Sequence, residues 1–477
     1  MNQLSIAQKL LFSLGNFGSS GPNTIIVQLQ LYYTKYLGYP AQLVGLVRSI
    51  ALVLDAITDP LMGYISDNTV SRWGRRMPYI AIGALCFGLG TVAMWMAPAG
   101  LSPYTIFAYL LAAQIVFTVG VTMTTVPYNA LVPEMATEYH ARTSLVAWMQ
   151  VGIYLGTTWG GFVRAYSSWR GDESQGMKEF AVLSSILMII CYGLLVAFVR
   201  EPKRETIVPS RPRTSLGASI SHHVSELFRS IRFAMTDSQF LVLFFVIFTY
   251  QVGILAGLWM YTFLLEDWFG GTWSTPFAEQ YLTGIMSPFR DAFFLYIFFA
   301  VGGGIIFLPL WNLIGKRMEK RTCLAIGILG IGCTYAASYF LFAPKSFPLL
   351  LAYCFLQAFF YCPLNIYPIS MLADIATHSE WKTGLANEGM FYGANSFLTK
   401  LYNAVAVFWT GFALDYIVKY KPGEGAIQTD ETLWRMRMLY AFPALATALL
   451  AVFVLSRYRL NRATMEQITE ELAARKQ

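Results

Sequence analysis

Two carboxylates, Asp55 and Asp59, lie inside an apolar run that extends from Leu43 to Ile65. The run is long enough to cross a bilayer as a helix, and residues four apart share one helical face. A carboxylate at membrane depth is costly and usually faces a helical bundle or a water-filled cavity. Two of them repel each other unless a cation or a shared proton lies between them. The pair is therefore typical of a cation site, such as a cation-coupled transporter requires.

Arg48 lies seven residues before Asp55, on nearly the same helical face and toward the other end of the run. One hypothesis is that Arg48 faces a cavity and binds an anionic group of a substrate, such as a uronate, because guanidinium and carboxylate can pair through two hydrogen bonds. The alternatives are an ion pair with Asp55, or a side chain that reaches the membrane surface. The sequence leaves these alternatives open.

The amino-acid composition indicates the class of protein that contains the two carboxylates. The chain has 477 residues, of which 56% are hydrophobic and only 13% are charged, against about 25% charged in soluble proteins. This composition predicts a multi-pass membrane protein, and the first residues lack the pattern of a cleaved signal peptide. The net charge of +7 resides mainly in connecting loops, which argues against nucleic acid as a partner. The six cysteines fall in apolar runs without metal-type spacing.

The hydropathy pattern predicts an all-α protein with twelve transmembrane helices in two six-helix halves. An even number of spans places both termini on one side, and loop Lys and Arg residues favour that side by about two to one, so we expect cytoplasmic termini. That count assigns Arg48 and Lys400 to spans, and it assigns every other Lys and Arg, including those near the ends of spans, to the connecting segments. The predicted organisation is a first half at 1–199, a basic linker at 200–237, a second half at 238–456 and a tail at 457–477. The predicted spans are 10–36, 42–66, 78–97, 104–132, 144–166, 180–199, 238–266, 291–315, 322–343, 346–374, 385–419 and 433–456.

The two halves resemble each other weakly. In the second span, Pro60 precedes the turn Gly74-Arg75-Arg76, and in the eighth span Pro309 precedes the turn Gly315-Lys316-Arg317. A Pro-Tyr-Asn in the fourth span has a counterpart Pro-Leu-Asn in the tenth. Parallel six-span halves indicate major facilitator transporters, in which the substrate site lies between the halves near the bilayer midplane.

Longer motifs point to one family within that superfamily. The stretch DAITDPLMGYISDNTVSRWGRR, the fourth-span VPYNALVPEM, the tenth-span MLADIATHSEWKTG and the eleventh-span NSFLTK resemble the glycoside–pentoside–hexuronide:cation symporters. The best-known member of that family is melibiose permease. The resemblance extends from Gly15 to about Arg462, nearly the whole chain.

The resemblance implies a cation site and names its residues. Asp55 and Asp59 match the two carboxylates of the family's cation site, Thr122 matches a nearby threonine, and Lys400 matches the eleventh-span lysine. The two carboxylates would bind Na+ if the coupling ion is sodium, and H+ is the alternative. No other cofactor is expected. Two carboxylates and one ammonium leave one negative charge, which would attract a cation.

The family's galactoside residues are replaced in this chain. The positions of two acids read Ser20 and Thr125, the position of a fifth-span arginine reads Gln150, and the position of a fourth-span tryptophan reads Asn129. The resemblance therefore implies that the cation residues are kept but melibiose is not the substrate.

Other residues could replace the galactoside groups. Asn23 in the first span, and Tyr392 and Asn395 in the eleventh, offer the amides and aromatic faces that suit a polyhydroxylated substrate. Such residues also join transmembrane helices by hydrogen bonds, and the sequence does not separate the two roles.

A third set of charged residues lies near the predicted cytoplasmic ends of the spans. Ion pairs among them could hold one conformation closed while the halves rock about the site. Solvated loop charges are the alternative. The candidate gate residues are Asp67, Arg75, Arg142, Asp374 and Glu388.

The sequence thus predicts a secondary active transporter rather than an enzyme. The expected activity is symport of Na+ or H+ with a sugar or glycoside, one option being an acidic, uronate-containing oligosaccharide. We expect a monomer in the bacterial inner membrane, in contact with lipids. No nucleotide-binding loop is visible, so this chain has no motif for ATP-driven transport.

Three alternatives differ from this prediction. A sodium-dependent lysolipid carrier of the same fold would need an apolar tunnel, which the polar first span disfavours. A membrane prenyltransferase would use DxxxD repeats to hold magnesium and pyrophosphate, but a second acid-rich motif is missing. A channel or sensor would bind without coupled transport.

Overall fold

The computed structural model describes residues 5–67, 69, 71–98, 100–136, 139–199, 201, 225, 228–272, 289–384 and 388–476, with backbone alone at 139–143 and at a few other positions. Helices make up nearly all of this described part, which contains no β-strand. The predicted linker at 200–237 lies largely outside the described residues.

In the described residues, twelve helical spans follow one another in the order that the hydropathy pattern predicts; a short helix at 228–234 precedes the seventh, and a further helix forms the tail. The first span is the helix Ile6–Ile25, continued by short 3-10, α and π turns to Tyr36. The eighth span consists of the helix Ala292–Tyr296, the π-helical turn Ile297–Val301 and the helix Gly304–Arg317. The other spans are Ala41–Asp67, Met77–Trp95, Pro103–Met135, Tyr139–Arg170, Glu173–Phe198, Ser238–Asp267, Lys320–Leu341, Phe347–Thr383, Glu388–Phe412 with a π turn to Val418, and Asp430–Leu455; the tail helix is Arg462–Lys476.

Several helices are longer than their predicted apolar cores. The fifth reaches from Tyr139 to Arg170 and the tenth from Phe347 to Thr383, beyond the predicted 144–166 and 346–374. Hydropathy marks the part of a helix that lies in hydrocarbon, whereas helical hydrogen bonds continue into the polar region where they cost nothing. Among the described residues, nine helices are both long and apolar enough to cross a membrane.

Local capping signals explain where several of these helices begin. Ser5 forms a capping box with Gln8 at the start of the first span. Asp172 accepts a hydrogen bond from the backbone N–H of Gln175, and Asp237 accepts from the backbone N–H of Gln239. Such side chains satisfy N–H groups that have no partner within the helix.

The chain divides into two compact units. The first comprises Met1–Ile220, Thr275–Ile297 and Lys421–Ile427, and the second comprises Ser221–Ser274, Phe298–Tyr420 and Gln428–Gln477. In the first unit, the first span packs on the fifth and sixth, and the fourth packs on the second and third. In the second, the seventh span packs on the eleventh and twelfth, and the ninth on the tenth and twelfth. In each unit, we call the end at which its first span begins (Ile6 in the first unit, Ser238 in the second) the terminal face, and the opposite end the distal face.

Glycines permit the closest helix contacts. Gly90 of the third span lies against the backbone of Phe117, and Gly120 of the fourth lies against the backbone of Phe87, so any side chain at either glycine would overlap the facing helix. Because lipid is as apolar as the helix surfaces, such packing supplies much of the association energy in a membrane. The fourth span is thereby fixed beside the third, and it also packs against the second span.

Candidate coupling and substrate site

The second span carries Asp55 and Asp59 one turn apart on a continuous helix, and both side chains are half-buried. Pro60 follows Asp59 directly. Because proline has no N–H, the carbonyl of Ala56 cannot receive the usual helical hydrogen bond from position 60. This carbonyl lies between the two carboxylates along the helix, so it adds a backbone oxygen to the same turn.

The fourth span meets the carboxylate pair through Thr122. The Thr122 hydroxyl, which is buried, donates a hydrogen bond to Asp55 Oδ1 at 2.8 Å. Thr58, which lies between the two acids in sequence, places its Oγ1 3.4 Å from Thr122 Oγ1. The structure therefore brings Asp55, Thr58 and Thr122 together, on two helices whose relative position is set by close packing.

Two further charged residues of the predicted site are Arg48, on the same helix as Asp55, and Lys400, in the second unit. Arg48 is half-buried on the same helix, about two turns before Asp55, and the two charges attract each other. Lys400 is half-buried in the eleventh span, which belongs to the second unit. Asp59 and Lys400 both interact with neighbouring groups. The grouping of Lys400 with the two acids stays a prediction.

The donor set at Asp55 suits a hard monovalent cation or a proton. Carboxylate, hydroxyl and carbonyl oxygens are the ligands that hard cations prefer. The second span offers the carboxylates of Asp55 and Asp59, the Thr58 hydroxyl and the Ala56 carbonyl, and the fourth span adds the Thr122 hydroxyl. These oxygen ligands fit Na+ by their chemistry. A carboxylate at this depth can equally carry a proton.

The first-span candidates differ in their surroundings. Ser20 packs against the fifth span, where a Cβ added to Gly156 would lie 2.9 Å from the Ser20 Cβ. Asn23 is exposed, and its amide donates to the Ser19 carbonyl at 3.0 Å. Ser20 is therefore held in a close helix contact, whereas the Asn23 side chain is accessible.

The fourth- and fifth-span candidates also separate into bonded and accessible residues. The Thr125 hydroxyl donates to the carbonyl of Val121 at 2.8 Å, within its own helix. Asn129 and Gln150 are exposed. Of this group, Asn129 and Gln150 are the side chains that present amides to the surroundings.

The eleventh-span candidates lie in the second unit. Tyr392 is 41% exposed. Asn395 lines a narrow, mostly apolar pocket together with Phe240, Leu398 and Tyr402. The pocket is therefore poorer in polar groups than the resemblance to sugar carriers would lead one to expect.

The terminal face of the first unit holds a network of ion pairs. Arg75 Nε donates to Glu201 Oε1 at 3.2 Å and its other end pairs with Glu134. Arg76 donates to Asp67 Oδ1 at 2.8 Å and lies 3.2 Å from Glu134 Oε1. The Arg76 backbone N–H donates to Glu201 Oε2 at 3.1 Å. Two candidate gate residues, Asp67 and Arg75, therefore form part of a network within one unit.

The remaining gate candidates are more dispersed. Asp374 pairs with Lys320 at 2.7 Å, within the second unit. Glu388 is exposed at the start of the eleventh span, and the side chain of Arg142 lies outside the described residues. A latch function for these residues stays a prediction.

Sequence reasoning missed several partners. It did not select Glu201, because this residue lies 125 positions from Arg76 and no local pattern links them. It did not select Thr58 as a site residue, although its place between two acids on one helix could have marked it as a ligand. It also overlooked Arg164, which lies inside the predicted span 144–166 but was not selected as a site residue; in the structure it lies within the fifth span at 4% exposure.

Comparison with known proteins adds a family to this geometry. A family model described as MFS/sugar transport protein matches residues 12–462. An uncharacterized symporter of Synechocystis is 26% identical over 547 residues, covering 100% of this chain and 98% of the relative. A putative sulfoquinovose importer of Salmonella typhimurium is 25% identical over 488 residues, covering 99% and 94%. The inward-open xylose transporter XylE from E. coli superposes with a TM-score of 0.62 at 15% identity, covering 97% of this chain and 99% of that one.

Proposed function

Because the chain belongs to the MFS/sugar transport protein family, we propose that it is a cation-coupled symporter of a small, anionic, sugar-like substrate. Membership of this family makes the protein a multi-pass transporter with the major facilitator fold, and not an enzyme. The coupling ion, the substrate and the residues that bind them belong to the proposal.

The observation that carries the coupling proposal is the hydrogen bond from Thr122 to Asp55. A threonine hydroxyl that donates to a carboxylate can turn its lone pairs toward a cation when one arrives, so the same two residues serve the empty and the loaded state. Thr58 and Asp59 extend the oxygen-rich turn. From the balance of charges, Lys400 would neutralise part of this negative charge when the cation is absent.

Two observations support an anionic substrate. Arg48 lies on the same helix as the carboxylates and is attracted to Asp55, so binding of a cation at Asp55 would weaken that attraction and favour an anionic group beside Arg48. The Salmonella relative is named for sulfoquinovose, a sulfonated and therefore anionic sugar. We propose a sulfonated or carboxylated sugar, with Asn129 and Gln150 as accessible amides for its hydroxyls.

The same proposal includes the cellular setting. We place the protein in the bacterial inner membrane, with cytoplasmic termini and as a monomer surrounded by lipid. The loop charge bias supports this orientation.

Transport assays in liposomes test the proposal. Radiolabelled sulfoquinovose, glucuronides, neutral glycosides and lysolipids are each offered with an inward Na+ gradient, an inward H+ gradient or no gradient. We expect accumulation of an anionic sugar under one cation gradient, and its loss in Asp59→Asn. Accumulation of a neutral sugar alone would overturn the role of Arg48, and accumulation of none would overturn the symporter.

A matched pair of threonine variants tests the site itself. Thr122→Val removes the hydroxyl bonded to Asp55 and should weaken the apparent cation affinity about tenfold, the cost of one lost hydrogen bond to a charged group. Thr124→Val is the control, because the Thr124 hydroxyl is also buried but bonds to carbonyls of its own helix. Equal cation affinity in the two variants would contradict the site.

A further inference from the structure

The eighth span is shared between the two units. Ile297 is the last residue of this stretch in the first unit, and Phe298 belongs to the second. A π-helical turn occupies Ile297–Val301, and Gly302, Gly303 and Gly304 follow it. Turns of this kind interrupt the regular hydrogen bonding and are frequent at functional sites, and glycine lowers the resistance of the backbone to bending. This place in the span is therefore suited to act as a pivot.

The residues before the pivot are attached to the first unit by a buried ion pair. Arg164 Nε of the fifth span lies 3.7 Å from Asp291 Oδ2, and the two residues are 4% and 3% exposed. Asp291 also caps the short helix that starts the eighth span, accepting a hydrogen bond from the Phe294 backbone N–H at 2.7 Å. Separating the pair in a dry environment would leave two buried charges, so the contact can open only if water enters.

Aromatic and aliphatic contacts join the fifth and eighth spans next to this pair. The Phe162 ring lies 4.2 Å from the Phe294 ring, and the Phe289 ring packs edge-on against both. A Cβ added to Gly161 would lie 3.2 Å from the Ile297 Cβ, so a glycine here allows the two backbones to approach closely. The fifth and eighth spans therefore pack closely beside the buried ion pair.

A second segment from the second half of the chain also belongs to the first unit, where a backbone hydrogen bond holds it. The segment Lys421–Ile427, which joins the eleventh and twelfth spans, belongs to the first unit. Its Gly423 N–H donates to the Thr34 carbonyl at the end of the first span, at 3.0 Å. Two described segments from the second half of the chain, 289–297 and 421–427, therefore belong to the first unit.

We propose that Arg164 and Asp291 form a reversible clip that closes the distal access route of the transporter, with Gly302–Gly304 as its pivot. The inference rests on the proposed transport function, because alternating access requires each side of the membrane to close and reopen. The buried ion pair makes closure all-or-none, since a partly opened pair would lose its attraction before it gained full hydration.

Cysteine labelling tests whether the charge holds the clip. Ala292→Cys places a thiol next to Asp291, at a fully buried position, and a membrane-impermeant maleimide is added from the distal face. Adding Asp291→Asn keeps the helix cap but removes the charge, and should raise the labelling rate at least roughly tenfold. Asp172→Asn is the control, because Asp172 caps the sixth span on the same face and should leave the rate unchanged. Equal rates in the two variants would overturn the clip.

A reversible cross-link tests whether the clip must open. Gly161→Cys with Ile297→Cys places two Cβ atoms near the distance of a disulfide, about 3.8 Å, and oxidation should join them and abolish uptake of the substrate that the liposome screen identifies. Reductant should restore uptake. The control pair, Gly18→Cys with the native Cys191, joins the first and sixth spans, where an added Cβ would lie 3.0 Å from the Cys191 Cβ; its cross-linking should leave uptake unchanged.

The results separate the clip from the transport proposal. Undiminished uptake after cross-linking at 161 and 297, or failure of this pair to cross-link while the control pair does, would overturn the clip. If the screen finds no substrate, the symporter proposal fails, whereas the labelling and cross-linking rates still decide whether the clip exists.

Discussion

The terminal faces of the two units start from related sequences but are built differently. In the first unit, Arg75 and Arg76 share three carboxylates, one of which, Glu201, follows the sixth span. In the second unit, Lys320 pairs with Asp374, and Arg321 donates to the Tyr458 backbone carbonyl at 3.1 Å, just after the twelfth span. In both units the chain that leaves the sixth span of the half folds back onto the basic turn.

In the second unit, which has fewer ion pairs at this turn among the described residues, the tail helix supplies further contacts. The tail helix Arg462–Lys476 lies on the tenth span, where the Trp381 indole N–H donates to Glu471 Oε2 at 2.7 Å, and the Arg462 backbone N–H donates to Glu319 Oε2 at 3.1 Å. The repeated position therefore has the same structural role in both units, which is to attach a basic turn to the helix ends. The interactions differ: ion pairs in the first unit, and backbone and tail contacts in the second.

The largest expected effect comes from removing the central base of each turn. Arg75→Ala should lower the stability of the first unit by about 3 kcal/mol, because it leaves partly buried carboxylates without their cation. Lys320→Ala should cost about 1 kcal/mol, because its side chain is 44% exposed. Thermal unfolding in detergent measures both.

A control separates this effect from the loss of any arginine. Arg170 forms an ion pair with Glu179, but the arginine side chain is 47% exposed, so Arg170→Ala should change the unfolding temperature little. If Arg75→Ala unfolded no more easily than Arg170→Ala, the network would not stabilise the first unit.

The repeated glycines should give the next largest effect, for different reasons. Gly74 has φ +100°, and an added Cβ would overlap Glu201, so Gly74→Ala should cost about 2 kcal/mol in backbone strain and displaced carboxylate. Gly315 lies in a regular helix, and its added Cβ would lie 2.6 Å from the Tyr367 hydroxyl, so Gly315→Ala costs stability only by crowding. Unfolding temperatures of both variants check the prediction.

A second substitution distinguishes strain from crowding. Tyr367→Phe removes the crowded oxygen but also its hydrogen bond to the Trp311 carbonyl, so Gly315→Ala should cost less stability in the Tyr367→Phe background than in the wild type. Glu201→Ala should not restore Gly74→Ala, because the backbone strain persists and the ion pairs are lost. Rescue of both variants, or of neither, would contradict the difference between the two turns.

The smallest expected effect concerns the tail. Trp381→Phe keeps an aromatic ring but removes the hydrogen bond to Glu471, which should cost about 1 kcal/mol. The matched control is Trp73→Phe in the exposed turn of the first unit, which should have little effect. Limited proteolysis of the tail helix provides the measurement, and equal cleavage rates in wild type and Trp381→Phe would argue against a fastening role.

Much of the fold follows from local sequence. Apolar runs of spanning length, ended by basic turns, predict each helix and the order of the helices, because the bilayer forces every backbone hydrogen bond to be satisfied within its own segment. Even the two acids of the candidate cation site are visible this way, since a carboxylate in an apolar run is costly and usually has a functional role.

Partners distant in sequence were not predictable in this way. No local pattern near Asp55 selects Thr122, which only the family resemblance indicates; none near Arg76 selects Glu201, and none near Arg164 selects Asp291. These pairings depend on which helices pack together and how closely, which glycines control by their lack of a side chain. A helical period identifies a face, but not the residue that meets it.

The amino-acid sequence alone predicts a helical membrane transporter of two repeated halves with an acidic turn in its second span. Each apolar segment must form a helix, because unsatisfied backbone polar groups are costly in hydrocarbon. The partners of the buried charged side chains, such as Thr122 for Asp55 and Asp291 for Arg164, follow only from the packing of the helices. The energy of a buried ion pair or a carboxylate–hydroxyl bond depends on distances of a few ångströms between helices, and those distances arise from packing over the whole unit.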